Sequence, residues 1–134
     1  MTSLLFSAEG RINRARFWLA ALGSSFALSA LLGLVLVALW QVFPGEISED
    51  GTFRIDGAAA LPYVAVIMGW LVLQFWISIC LGIKRYHDMD KSGSRMLVLL
   101  VPMIGGLIYV IQTGFLRGTT GANRYGADPR LAAA

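Results

Sequence analysis

A chain of 134 residues that is 57% hydrophobic and only 14% charged carries about half the charge of an average soluble domain, and its apolar residues come in blocks, which excludes a soluble globular protein. The net charge of +3 does not point to nucleic acid, because the bases cluster at the ends of the apolar blocks and no zinc finger or other nucleic-acid-binding module is present. Cys80 is the only cysteine, so one chain can build neither a disulfide nor a cysteine-based metal cluster.

The first polar stretch, "FSAEGRINRARFW", brings Arg11, Arg14 and Arg16 up to an apolar run from Phe17 to Phe43 that contains no Asp, Glu, Lys or Arg. This run is about twice as long as the roughly 7–15 apolar residues of a signal peptide and ends at Phe43, Pro44 and Gly45 without a small-x-small cleavage site, so it is expected to stay as a helix. Trp18 and Trp40 stand about 33 Å apart on such a helix, as interfacial anchors do. Ser25, Ser29 and Gly33 repeat every four residues along it, a spacing that lets helices approach closely in lipid, within one chain or in a homo-oligomer. The connection "PGEISEDGTFRID" holds five charged residues of which only Arg54 is basic. The positive-inside rule therefore places the N-terminus in the cytoplasm and this acidic loop outside.

A second apolar run, Gly57 to Ile83, returns the chain to the cytoplasm. Ala65 with Gly69 and Ser78 with Gly82 repeat the small-residue spacing, and Gln74 is its one strongly polar side chain near the middle, expected to hydrogen-bond to another helix. The stretch "KRYHDMDKSGSR" follows, with Lys84 and Lys91 spaced to pair with Asp88 if the helix continues, and with Ser92 or Ser94 able to cap whatever comes next. The third apolar run, Met96 to Phe115, contains Pro102, Gly105 and Gly106 at its middle, where Pro removes a helix hydrogen bond. As a kinked full span it leaves seven basic residues inside against four outside; as a re-entrant segment it leaves ten inside against one. The tail, "LRGTTGANRYGADP", is rich in turn formers and lacks the Gly-Lys-Ser/Thr ending of a phosphate-cradling loop.

The polar stretches resemble, in order and spacing, the bacterial membrane family catalogued as domain of unknown function 805. The resemblance covers roughly residues 6–129. It is carried by Gly10, Arg11, Arg14 and Trp18, then Arg85, His87, Asp88, Ser92 and Gly93, then Pro102 and Gly105, and finally Gly118, Thr119, Gly121, Asn123, Arg124, Gly126, Asp128 and Pro129. It implies a small inner-membrane protein of several helices and no established activity.

The expected fold is thus an all-α integral membrane protein of one domain, with three membrane helices over about 17–43, 57–83 and 96–115, the third kinked or re-entrant near Pro102, and a polar tail over 116–134. The expected function is a non-enzymatic module in the bilayer, binding an anionic lipid or a membrane protein partner through Arg11, Arg14, Lys84, Arg85 and Arg95 near the inner headgroups. His87, Asp88, Asn123, Arg124 and Asp128 form a candidate composite polar site if the middle loop and the tail share a side. An oligomeric channel or transporter using Gln74 and the Pro102–Gly106 break is the alternative. A metal-dependent enzyme on His87, Asp88 and Asp90 is the third reading; no catalytic residue, cofactor or resident metal is assigned.

Overall fold

Two of the apolar runs fold as single long helices. In the computed structural model, which describes residues 2–55 and 57–131, a short helix α1, Thr2–Phe6, precedes α2, Arg14–Val42, and α3, Leu61–Asp88. With 29 and 28 residues, α2 and α3 each reach about 42 Å at 1.5 Å per residue, more than the roughly 30 Å of a hydrocarbon core. Both contain a stretch long and apolar enough to cross a membrane. Asn13 starts α2 by accepting the Arg16 N–H on its side-chain oxygen at 2.9 Å, and Pro62 sits in the first turn of α3, where a missing N–H is harmless. Leu19, Phe26, Leu34, Val72 and Phe75 all point outward, each more than 60% exposed, as side chains facing lipid do.

The acidic connection between α2 and α3 is more ordered than a loop. Strand β1, Glu46–Ile47, pairs antiparallel with β2, Phe53–Arg54, in the register Glu46 to Arg54 and Ile47 to Phe53. Asp50 holds the turn by accepting from the Thr52 N–H at 3.0 Å and its hydroxyl at 2.6 Å. A 3₁₀ turn, Gly57–Ala60, then leads into α3.

The third apolar run is not a single helix. It consists of a 3₁₀ helix, Gly93–Leu100, a turn through Pro102, helix α4, Gly105–Val110, and a π-helical turn, Ile111–Phe115. Their lengths, about 16 Å for the 3₁₀ piece and 9 Å for α4, each fall well short of a bilayer. Ser92 caps the first piece, its hydroxyl accepting from the Ser94 N–H. At the bend Met103 takes a left-handed φ of 65° and is fully exposed. Beyond it the two arms pack so closely at Gly105 that a Cβ there would overlap the Val98 carbonyl.

The chain divides into two compact units, one formed by residues up to Gly23 together with those from Phe75 onward, the other by Ser24–Gln74. Within the second unit Gln74 donates from Nε2 to the Ser25 hydroxyl, and the Tyr63 hydroxyl donates to the Phe43 carbonyl at 2.9 Å. The first unit contains the residues of the buried core, Ile12, Phe17, Ile77, Cys80, Leu81, Tyr86 and Met89. Of the small-residue positions, Gly82 makes a close approach, since a Cβ there would lie 2.6 Å from the Met96 sulfur and 2.8 Å from the Tyr109 hydroxyl. A Cβ at Gly33 or Gly69 would meet nothing within 4 Å.

Candidate functional site

Asp88 closes the last turn of α3, a place where the helix dipole disfavours an anion. Two arginines compensate it. Arg85, one turn earlier, donates from Nη1 to Oδ2 at 2.5 Å, and Arg11, from the stretch before α2, donates from Nη2 to Oδ1 at 3.1 Å. The three side chains are 6%, 0% and 1% exposed respectively, so this is a buried triad in which each charge relies on the others.

The remaining donors of both arginines are satisfied by backbone. Arg11 reaches into the tail, to the carbonyls of Thr119 and Gly121 at 2.8 Å and of Gly126 at 3.1 Å. Arg85 gives Nε to the Thr113 carbonyl at 2.8 Å and Nη2 to that of Leu116. The π turn over 111–115 is thereby capped from outside. Its trailing carbonyls, which no residue of its own helix can satisfy, are taken by Arg85 at Thr113 and Leu116, by the Trp18 indole at Gly114 (3.2 Å) and by Arg14 at Phe115 (3.0 Å). Cations at a helix C-terminus also suit its dipole.

The tail folds back over this triad. Thr119 donates its N–H and its hydroxyl to the Asp88 carbonyl, at 2.8 and 3.0 Å. Asn123 donates from Nδ2 to the His87 carbonyl at 2.9 Å and to the Thr119 hydroxyl at 3.0 Å. The Tyr125 ring lies flat on the His87 ring, centroids 3.8 Å apart, and the Arg124 guanidinium stands 5.0 Å from the Tyr125 ring centre. His87 Nδ1 is 3.2 Å from the Gly10 carbonyl; because a carbonyl only accepts, Nδ1 carries the proton. Arg124 pairs with Asp90 at 3.2 Å, an exposed bridge of little energetic weight.

All five residues of the composite polar site therefore belong to one interlocked cluster, His87, Asp88 and Asn123 directly, Arg124 through Asp90 and Tyr125, and Asp128 through Gly121. The five basic residues expected at the headgroups divide differently. Arg11 and Arg85 are used inside the protein, and Lys84 is buried with its ammonium donating to the Leu4 carbonyl at 2.9 Å. Arg14 and Arg95 stay exposed. The expected helix-surface pairs of Asp88 with Lys84 and Lys91 are not formed, because Asp88 faces Arg11 and the tail rather than solvent. Among the described residues no three His, Cys, Asp or Glu side chains gather to hold a metal ion; His87, Asp88 and Asp90 each engage different partners.

Beside Asp88 a cavity of about 180 Å³ opens, lined by Asn13, Arg14, Asp88, Arg117, Gly118 and Arg130. Its walls come from all three polar stretches. A family described as "Protein of unknown function (DUF805)" matches residues 5–127. The chain belongs to this family. Two Escherichia coli (strain K12) relatives carry names that place them in the inner membrane. Inner membrane protein YhaI is 29% identical over 123 residues, 92% of this chain and 86% of the relative; inner membrane protein YhaH is 33% identical over 125 residues, 92% and 87%. No solved structure matches the chain. This DUF805 member, with relatives of the inner membrane and two helices long enough to span it, is a membrane protein.

Arg117, Thr119 and Arg130, with Asn13 and Tyr125, are the site residues that the sequence did not mark as functional. Arg130 locks the tail by donating from Nε and Nη2 to Asp128 at 3.0 and 2.9 Å. These bonds, with the backbone N–H groups of Arg130 and Gly121, hold the Asp128 carboxyl well below its ordinary value of 3.8, and the same pairing raises Arg130. A carboxylate with a depressed folded-state pKa contributes stability in full above its unfolded value and loses it as pH falls through the folded one. The contribution of Asp128 to amide protection of the tail, read by hydrogen exchange as the difference in protection factors between the natural chain and Asp128→Asn, is therefore expected to be flat from pH 8 to about 4 and to fall only below that. Asp128→Asn is expected to lower protection across the whole plateau.

Proposed function

We propose that the protein is a non-enzymatic module of the bacterial inner membrane, a single membrane domain that holds an anionic lipid or a protein partner at its cytoplasmic face. The observation that carries this reading is the closure of three separate polar stretches on Asp88, which leaves Arg14 and Arg117 exposed around a cavity whose carboxylates are already engaged. Evolution of such a cluster for orientation alone would not require a buried triad; charge near the membrane surface is enough for that.

The same contacts support the re-entrant form of the third apolar run. Arg11 before α2, Asp88 at the end of α3 and Thr119 after the third run touch one another, and residues in contact share a side of the bilayer. Neither arm of the 93–110 hairpin is long enough to cross roughly 30 Å, and its bend presents Met103, as a tip resting in lipid would. On this reading the N-terminus, the middle loop and the tail are all cytoplasmic, and the β1–β2 hairpin faces outward. A C-terminal fusion to a fluorescent protein that matures only in the cytoplasm is expected to be bright, and one to a phosphatase active only outside it to be silent; the reverse pattern would refute this topology. The transporter reading has less support, since the Gln74 amide is engaged by Ser25 in a helix-to-helix hydrogen bond.

Binding at this face is tested by placing a photoreactive residue at Arg117 and, as a control, at Thr52 in the outer hairpin. Illumination of intact cells is expected to give lipid or protein adducts specific to position 117. Identical adducts at both positions would refute a dedicated binding face.

A further inference from the structure

The cavity beside Asp88 has an apolar neighbour one helical turn away. Along α2, Asn13 and Arg14 line the polar cavity, while Phe17, Trp18 and Ala21, one and two turns further on the same face, line a second cavity of about 180 Å³ whose far wall is Tyr109, Val110 and Thr113. A helical turn advances about 5.4 Å. On the opposite wall Thr113 belongs to the apolar crevice and Arg117, four residues later, to the polar cavity. The linings of the two cavities thus succeed one another along the chain on both sides, cationic at the start of α2 and apolar one turn further in, where Ser78 and Leu81 of α3 complete the second.

The charge around the polar end is unbalanced. Among the described residues, Arg11, Arg14, Arg85, Arg117 and Arg130 face only Asp88 and Asp128. Both Asp88 oxygens are held by Arg11 and Arg85, and both Asp128 oxygens by Arg130 and Gly121. Arg14 has only the Phe115 carbonyl, and the Arg117 side chain has no hydrogen-bond or ion-pair partner among the described residues. A cavity of about 180 Å³ is small beside the roughly 300–1,000 Å³ of a drug-sized ligand site, but it accommodates a phosphate group and the carbons next to it. Basic pockets between membrane helices on the cytoplasmic side suit anionic headgroups.

We infer that the two cavities together hold one anionic phospholipid, its phosphate against Arg14, Arg117 and Arg130 and one acyl chain in the crevice between α2 and α4. This rests on the reading of the arginine face as a binding surface and specifies what that surface takes. A free phosphate shares the headgroup chemistry, but it has no use for the apolar cavity next to it.

The full chain, purified in a neutral detergent, is titrated with phosphatidylglycerol, phosphatidylcholine or inorganic phosphate, and bound species are counted by native mass spectrometry. One phosphatidylglycerol is expected to be retained in preference to phosphatidylcholine. Arg117→Gln is expected to weaken it about fivefold, the worth of one arginine at a membrane surface, with the thermal midpoint unchanged. Ala21→Leu, or Val110→Phe at a position 41% exposed should the first variant fold poorly, fills the crevice and is expected to release the lipid while leaving the arginines in place. Equal retention of the two lipids, or an unaffected Arg117→Gln, overturns the inference. Displacement by millimolar phosphate with no effect of the crevice variants also overturns it and assigns the site to a free anion. Protein adducts at position 117 alongside lipid indifference would sink this inference and leave the binding face standing; position 117 adducts matching those of the control would remove the face itself.

Discussion

Asp88→Ala is expected to lower the thermal midpoint of the detergent-purified protein by about 10–20 °C. Removing one partner from a buried ion pair costs roughly 3–5 kcal/mol, because the other charge is left uncompensated in a poorly solvated place. Here one carboxylate serves two guanidinium groups whose side chains are 1% and 0% exposed, so the substitution strands two cations at once. At roughly 4 °C per kcal/mol, where the ranges for smaller and larger domains meet, the shift follows. Asp88→Asn keeps an acceptor oxygen at similar volume and is expected to lose somewhat less. Arg11→Met is expected to cost less than either, since Asp88 retains Arg85, but it also leaves the Thr119, Gly121 and Gly126 carbonyls without their shared donor and should loosen the tail first. A thermal shift below about 3 °C for Asp88→Ala would show that the triad is solvated in the membrane-bound protein.

The long helices were legible because run length alone decides them: no charge interrupts 17–43 or 57–83, and lipid leaves the backbone no partner but itself. Run length misleads for 96–115, which has the same composition but lacks continuity. Pro102 and the glycines after it permit a bend, and nothing in the sequence says that the Val98 carbonyl will come to rest against Gly105. The β1–β2 hairpin had a signal in Asp50-Gly51, a turn pair of the kind that joins two strands, but the acidic charge of the segment drew the reading toward orientation. At the site, counting three and four residues along the helix offers Asp88 three partners, Lys84, Arg85 and Lys91. Only Arg85 is a true one, because the other two need an exposed helix face, and the partner on the other oxygen, Arg11, lies 77 residues away. The family's recurring residues held that information in unsorted form. Arg11, Arg85, Asp88, Thr119, Gly121 and Asn123 were all present in the motif set, and the structure shows that they bond to one another.

Gly118 offers the sharpest test of that network, and Gly118→Ala is expected to destabilise the protein by about 3 kcal/mol, the upper end of overpacking costs. Its φ is not in the left-handed region, so backbone freedom does not explain the glycine; proximity does. A Cβ at Gly118 would lie 2.5 Å from the Asp88 Cγ and 3.0 Å from the Asp88 carbonyl oxygen. The carboxylate has nowhere to retreat, being held by Arg11 on one oxygen and Arg85 on the other, while Thr119 holds the carbonyl. The cost should therefore depend on Asp88 itself. In an Asp88→Ala background the same substitution is expected to cost less than about 1 kcal/mol, because the obstructing carboxylate is gone, and the double-mutant cycle should report a coupling of about 2 kcal/mol, within the range for residues in contact. Gly51→Ala supplies the contrast. Its φ of 77° makes alanine strained, yet a Cβ there meets nothing within 4 Å, so its cost should add to that of Asp88→Ala without coupling. Coupling at Gly118 and its absence at Gly51 would show that this glycine lets the tail reach Asp88; additivity at both would mean that the tail does not rest on that carboxylate.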